Sequence, residues 1–519
     1  MTSTPPIVID PVGENYQVKW DTGGLGLLTS VDYRIQVFVD SVLLGFADVD
    51  VVLDNKGLKG VPTGFVGLVR NKSLQIKFRI ETGIVGQVTV SPSTATILAG
   101  ETQQFTATLT DLHGNPLSGP PITWASDNTG IATVDGNGLA TAESEGTTTI
   151  TALSQNISGT ATLTIAEFSS ISAGGSHSCG VTPSGTAFCW GLNAHGQLGD
   201  GTNTDSNGPV QVVGNSVFVT VNAGGSHTCG LTTSGTAYCW GRNQAGQLGD
   251  GTNFDSNSPV AVVTGPPLVS LTTGNFHTCG VATTGDGYCW GANSYGQLGT
   301  GMNNDSNVPV PVSGSLAFDF ISAGGSDGHS CGKTATGELY CWGNNAYGQL
   351  GDGTITDSNV PVAVFGSQSF VSVNSSGHSH SCGLTGSGAI YCWGFNGYNQ
   401  LGDGTNIRSS VPVEVVGGHT FASVNTGGHH SCGVTTAGAV YCWGHNAYGD
   451  LGRGTNTNGE GMPLEVSGSH TFASVAAGSL HSCGVDTAGS VYCWGYNASG
   501  QLGSGTNTDS NVPVAVGLP

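Results

Sequence analysis

Fourteen cysteines are the residues of this sequence best placed to do chemistry, and their spacing narrows which chemistry it is. They fall as seven pairs, Cys179/Cys189, Cys229/Cys239, Cys279/Cys289, Cys331/Cys341, Cys382/Cys392, Cys432/Cys442 and Cys483/Cys493, each ten residues apart. A glycine stands six residues after the first member of every pair (Gly185, Gly235, Gly285, Gly337, Gly388, Gly438, Gly489), at the tip of a predicted hairpin that sets the two cysteines opposite each other. Opposed residues of antiparallel strands lie about 4.5 to 5.5 Å apart at Cα, within reach of a disulfide. A disulfide is therefore expected in each copy, ahead of free buried thiols and of metal. Each would close a short loop worth about 2 to 3 kcal/mol in the chain-entropy account. Seven of them imply an oxidising compartment.

A histidine two residues before each first cysteine (His177, His227, His277, His329, His380, His430, His481) raises the question of metal. His-x-Cys plus a distant cysteine gives three ligands where structural zinc takes four, and no fourth recurs. These imidazoles are expected to be hydrogen-bonding struts. The loop Gly-Asp-Gly-Thr-Asn-Thr-Asp-Ser-Asn invites a calcium reading through Asp200 and Asp205, Asp250 and Asp255, or Asp352 and Asp357. Its carboxylates lack the alternate-residue spacing of a calcium loop, so turn capping is expected. Seven equal copies also supply no single asymmetric nucleophile, base and acid. The chain is read as a non-enzyme without metal or cofactor.

The elements that must position these residues follow from the period. Successive pairs begin 50, 50, 52, 51, 50 and 51 residues on, a sevenfold repeat whose length suits a blade of four short strands. In the first copy the expected strands are Phe168 to Ala173, His177 to Thr182, Thr186 to Trp190 and, after a long loop, Pro209 to Val213. The expected fold class is all-β: a seven-bladed propeller over residues 167–519, preceded by an N-terminal β module (1–85) and a small β-sandwich (86–166). The C-terminal Pro513-Val-Ala-Val516 is expected to join the first blade beside Phe168 to Ala173 and close the ring.

Composition agrees. The 519 residues include 86 Gly and only 9% charged side chains, which disfavours helix bundles. The net charge of −22 disfavours nucleic acid and anionic membranes, and no apolar run is long enough to span a bilayer. Eight of the 12 basic residues precede residue 86, whereas from Phe168 onward 4 basic residues face 18 acidic ones.

The run Ala-Gly-Gly-Ser-His-Ser-Cys-Gly-Val-Thr (173–182), followed by Ala-Phe-Cys-Trp-Gly-Leu-Asn-Ala-His-Gly-Gln-Leu-Gly (187–199), resembles the regulator of chromosome condensation repeat, whose members form seven-bladed propellers. Trp-Gly-x-Asn recurs in all seven copies (Trp190, Trp240, Trp290, Trp342, Trp393, Trp443, Trp494), and Gly-Gln-Leu-Gly in five, with Asn399 and Asp450 as departures. The cysteine pairs are similar to those of secreted bacterial members. Upstream, Val-Ser-Pro, Ala-Gly-Glu-Thr-Gln-Gln-Phe, Ile-Thr-Trp-Ala-Ser and Gly-Leu-Ala-Thr-Ala resemble the bacterial immunoglobulin-like domains of surface adhesins. That domain has no cysteine, and Trp124 is expected in its core. Strands Tyr33 to Val39 and Leu74 to Ile80 belong to the N-terminal module.

Positions held in every copy are read as architecture, so the variable ones carry the information about function. After Trp-Gly come Leu192, Arg242, Ala292, Asn344, Phe395, His445 and Tyr496; three further on come His195, Ala245, Tyr295, Tyr347, Tyr398, Tyr448 and Ser499. Equivalent loops gather on one face. Arg242, Phe395, His445, Tyr496, His195, Tyr295, Tyr347, Tyr398 and Tyr448 are the candidate recognition surface there, with packing between neighbouring loops as the competing role. The expected function is an extracellular or cell-surface binding or adhesion protein with a protein or glycan ligand. A surface fibre or coat subunit that self-assembles through the N-terminal domains is one alternative. The resemblance implies two more. Secreted relatives include an inhibitor of β-lactamases, and nuclear ones exchange nucleotide on a small GTPase, a role the acidic charge disfavours. Met1-Thr-Ser-Thr-Pro-Pro shows no signal-peptide pattern, so the sequence is expected to be a mature or truncated form, or to be exported by another route.

Overall fold

The computed structural model describes residues 85–517 except 99–101, 112–113, 145, 167, 264, 326–327, 458–459 and 488, together with the backbone of six strands nearer the N-terminus. Every regular element among the described residues is a strand. The six N-terminal strands make two three-stranded sheets. Ile7–Asp10, Asn15–Asp21 and Ser73–Arg79 form one, and Asp32–Val39, Val42–Val52 and Phe65–Val69 the other. The two strands expected here lie within Asp32–Val39 and Ser73–Arg79, with Ile80 outside the described residues.

In the next segment Gln87–Ser91 pairs antiparallel with Thr106–Thr110, which also holds Pro116–Leu117. Leu139–Ala142 bridges Thr102–Gln104 and Ala132–Val134, and Ile157–Ala166 runs parallel to Thr94–Leu98. Phe105, Ile150, Leu163 and Ile165 are fully buried. Trp124, expected in the core, is instead half-buried. Its ring lies against the Asp135–Gly138 turn, where a Cβ on Gly138 would come within 2.8 Å of it.

From Phe168 onward, seven four-stranded sheets follow, each antiparallel and built from one repeat with its strands in chain order. Blade 1 is Ser170–Ala173, His177–Val181, Ala187–Gly191 and Ser206–Gln211; blade 7 is Phe472–Ala477, His481–Asp486, Val491–Gly495 and Ser510–Ala515. The seven first strands line a central channel.

The second and third strands of each blade form the hairpin that carries its cysteines. In the first three blades Cys179 faces Cys189, Cys229 faces Cys239 and Cys279 faces Cys289. In the remaining four Cys331 faces Cys341, Cys382 faces Cys392, Cys432 faces Cys442 and Cys483 faces Cys493. All seven pairs are joined as disulfides. Their Cα separations are 4.0 to 4.1 Å, shorter than the opposed-strand spacing from which the pairing was expected. Among the described residues no cysteine is free.

The C-terminal strand does not pair with the first blade. Ser510–Ala515 pairs with Val491–Gly495 of its own blade. Each repeat already carries its own fourth strand, so none is spare. The ring closes as every other junction does, through backbone bonds such as Ser479 N to Gly174 O and Gly505 N to Asn207 O, and through hydrophobic cores that lie between blades. One core joins Cys179, Cys189 and Leu198 of blade 1 to Phe218 and Trp240 of blade 2. The closing core is of the same kind: Cys483, Cys493 and Leu502 of blade 7 pack with Phe168, Phe188 and Trp190 of blade 1. Between them, Cys289 packs with Trp342, Cys341 with Trp393, Cys392 with Trp443 and Cys442 with Trp494. All seven tryptophans of the Trp-Gly-x-Asn motif are 0% exposed. A blade cannot bury its disulfide and its tryptophan without both neighbours, which is what makes a closed ring stable.

The outermost strand of each blade is an unpaired edge, and every one carries a proline: Pro209, Pro259, Pro309, Pro361, Pro412, Pro463 and Pro513. Proline offers no N–H to an incoming strand, so the rim resists edge-to-edge pairing.

Candidate binding face

Repeated polar residues build the scaffold. His177 Nε2 lies 2.8 Å from Thr228 Oγ1 of the next blade, and Thr228 donates its only hydroxyl proton to the Gln197 carbonyl at 2.7 Å. The hydroxyl must therefore accept, so His177 is the neutral Nε2–H form. Trp240 Nε1 donates to the same carbonyl. Equivalent bonds run His227 to Thr278, His277 to Ser330, His329 to Ser381, His380 to Ser431, His430 to Ser482 and, closing the ring, His481 to Ser178. The struts thus join neighbouring blades. Burial is the chief reason that His177, His227, His329 and His430 are pushed down to about 3, and His277 and His481 to about 4. Their Nδ1 atoms face no hydrogen-bond partner.

The Asn of Trp-Gly-x-Asn fixes the long loop. Asn193 is buried; its Oδ1 accepts from Leu198 N, and its Nδ2 donates to Asp200 Oδ1 and to the Thr204 carbonyl. Asp205 Oδ1 accepts from Asn193 N at 2.7 Å, and Asp200 accepts from Thr202 N. These carboxylates are turn caps. The Gly that ends Gln-Leu-Gly admits the next tryptophan. Gly199 has φ +69°, and a Cβ there would sit 2.6 Å from Trp240 Nε1.

The variable positions lie on one face, since the amide after Trp-Gly bonds to the carbonyl just before the repeated histidine, as Leu192 N does to Ser176 and His445 N to His429. Six of the nine candidates form one chain of rings across blades 4 to 7. Tyr347 meets Phe395 at 5.0 Å, Phe395 meets Tyr398 at 6.1 Å, and Tyr398 meets His445 at 5.2 Å. His445 meets Tyr448 at 6.1 Å, and Tyr448 meets Tyr496 at 4.9 Å. Most contacts are edge to face, the geometry aromatic rings prefer. The rings pack between loops and still present surface: Tyr347, Tyr398 and Tyr448 are 37 to 39% exposed. The other three stand apart. Arg242 lies over Phe276 at 5.5 Å, His195 bonds Asp255 at 2.8 Å, and Tyr295 is exposed on blade 3.

Comparison with known proteins agrees with this geometry. The pattern described as the Regulator of chromosome condensation (RCC1) repeat matches residues 184–231, 234–281, 284–332, 336–384, 387–434, 437–485 and 488–519. The chain belongs to the RCC1 repeat family. A Bacterial Ig-like domain (group 2) pattern matches residues 84–165. The sequence is 32% identical over 201 residues to the Ultraviolet-B receptor UVR8 of Arabidopsis thaliana, covering 37% of this chain and 45% of that protein. It is 30% identical over 203 residues to the human E3 ubiquitin-protein ligase HERC2, covering 38% of this chain and 4% of that one. The chain thus spans less than half the length of these curated relatives. Yeast RCC1 (Prp20), solved bound to Kap60, shares the fold with a TM-score of 0.58, at 22% identity over 63% of this chain and 83% of that one. Human WBSCR16 does so with a TM-score of 0.55, at 23% identity over 60% and 85%.

In this RCC1-repeat propeller, three residues of the face were missed by sequence reasoning. His429 extends the ring chain inward, with its centre 5.0 Å from Tyr398, and His378 lies 4.9 Å from His429. Asp450 takes the place of the repeat glutamine and holds His445 through its Nδ1. Burial raises the Asp450 carboxyl, and the His445 hydrogen bond opposes that. The signals were present: the irregular spacing in the loop of His378, the doubled His429-His430, and the Asp in Gly-Asp-Leu-Gly.

Proposed function

We propose that the chain is an extracellular binding or adhesion protein whose propeller holds a protein or glycan ligand on the ring chain from Tyr347 to Tyr496. The observation that carries this reading is asymmetry. The scaffold needs its histidines, asparagines and tryptophans seven times over, yet among the described residues the contiguous ring chain, with Tyr347, Tyr398 and Tyr448 half-exposed around a buried His445, occupies four consecutive blades. Rigid aromatic side chains give large contact area at low entropic cost. The acidic, lysine-poor propeller surface favours partners that are neutral or cationic there. Seven disulfides and an immunoglobulin-like domain support an oxidising, extracellular setting.

The test is retention of labelled full-length protein on glycan arrays and on cell surfaces, comparing wild type with Phe395→Ala/Tyr448→Ala/Tyr496→Ala. Loss of retention with an unchanged thermal transition supports the reading. Equal retention removes the face from it.

A further inference from the structure

Four departures from the repeat meet at one place, the junction of blades 5 and 6 beside the mouth of the central channel. His378 stands two residues before His380, where blade 1 has Gly175 two before His177, in a loop one residue longer. It lines the channel. His429 occupies the place of Ser176, His445 that of Leu192, and Asp450 that of Gln197. The ring centres of His378 and His429 are 4.9 Å apart, and those of His429 and His445 are 6.2 Å apart. No other blade needs these side chains to fold, and one ligand chemistry explains why all four converge.

We propose that His378, His429 and His445 bind one borderline divalent transition-metal ion of the zinc, nickel or copper class, with Asp450 orienting His445 from behind. Neutral imidazoles are the donors such ions prefer. Two imidazoles on a tetrahedral ion, with metal–nitrogen bonds of about 2.1 Å, hold their ring centres roughly 5 Å apart. The 4.9 Å between His378 and His429 is close to that, whereas the 6.2 Å between His429 and His445 is wider. Asp450 Oδ2 bonds His445 Nδ1, which leaves Nε2 directed away from the carboxylate. A carboxylate behind a ligating histidine is a recurrent device for fixing the ring and raising its basicity. His429 Nδ1 is buried with no hydrogen-bond partner. Among the described residues no three such side chains converge on one point as they stand. The site closes when His378 and His429 turn about their last side-chain torsion, which is broad for histidine. The channel supplies the entry path, and three ligands leave one coordination position open.

The experiment is calorimetric titration of tag-free, full-length protein, dialysed against chelator, with nickel chloride and separately with zinc chloride. The expected result is one ion per chain. Binding should be lost in His429→Ala/His445→Ala, weakened about 10- to 100-fold in Asp450→Asn, and unchanged in His470→Ala, whose ring lies on Tyr492 away from the site. Thermal unfolding of each variant without metal shows that it is folded. Absence of binding by the wild type, or undiminished binding by the folded double variant, overturns the proposal. Loss of binding in His470→Ala overturns it equally. Retention on a ligand array is a separate readout, so failure here leaves the aromatic face to its own test.

Discussion

His481 Nε2 lies 2.8 Å from Ser178 Oγ, a bond between residues 303 apart in sequence that closes the ring between the last blade and the first. Ser178 donates in turn to the Gln501 carbonyl at 3.0 Å, which also accepts from Trp190 Nε1. The closing junction therefore repeats the chemistry of the six internal ones.

If closure is one latch among seven, Ser178→Ala and Ser431→Ala should destabilise alike. Each strands a buried imidazole N–H, an effect of about 1 to 3 kcal/mol. Thermal unfolding of both variants checks this. A far larger effect at Ser178 would mean that the closing junction bears a special load.

Stability should fall as the solution is acidified through the histidine range. The ring histidines stay neutral in the fold down to about 3 or 4, whereas in the unfolded chain they protonate near 6.5. The folded values are depressed, so their contribution is full above about pH 6.5 and is lost as pH falls toward the folded values. The limiting slope is about 1.4 kcal/mol per pH unit for each histidine. Melting temperatures measured from pH 8 to 5 should be flat at first and then drop below 6.5, before most carboxylates titrate. A flat profile down to pH 5 would contradict the burial.

Much of this was legible in the sequence, because a sevenfold repeat reports its own invariants. The Cys179/Cys189 spacing fixed a hairpin register, and Trp190 and Asn193 marked a core position and a loop anchor. Closure was misread, since Pro513 to Val516 looks like a spare strand until each repeat is seen to own its fourth. The core between blades was also hidden: nothing local says that Trp240 packs on Cys179 and Cys189. The variable residues after Trp-Gly, Phe395, His445 and Tyr496 among them, were visible as departures from the repeat, but their grouping into one chain of rings was not. Arg242 and His195 are drawn away by Phe276 and Asp255, contacts across blade junctions that spacing does not encode.

Gly249→Ala should destabilise by more than about 1 kcal/mol, because its φ of +68° disfavours a side chain and the added Cβ would meet Trp290 Nε1 at 2.6 Å. Gly418→Ala is the matched control: its φ is also +68°, but nothing lies within 4 Å of the added carbon. Denaturant midpoints for the two separate strain from packing. Equal losses would mean that close approach to tryptophan is not what the Gln-Leu-Gly glycine provides.

Thiol titration should find no reactive thiol in the native protein and 14 after denaturation with reductant, since all seven pairs are bonded and fully buried. Reduction should lower the thermal transition, because each short loop contributes about 2 to 3 kcal/mol. Thiols reactive in unreduced, denatured protein would contradict an oxidising origin.

The central claim is that symmetry-breaking rings on one face hold the ligand. Its most direct test is side-by-side retention, on one array, of wild type, the Phe395/Tyr448/Tyr496 alanine variant, and a control with Val217, Val269 and Val371 changed to alanine, three exposed residues off that ring chain. Retention lost in the first variant and kept in the control is the result predicted. Retention kept in the first variant and lost in the control would contradict the account.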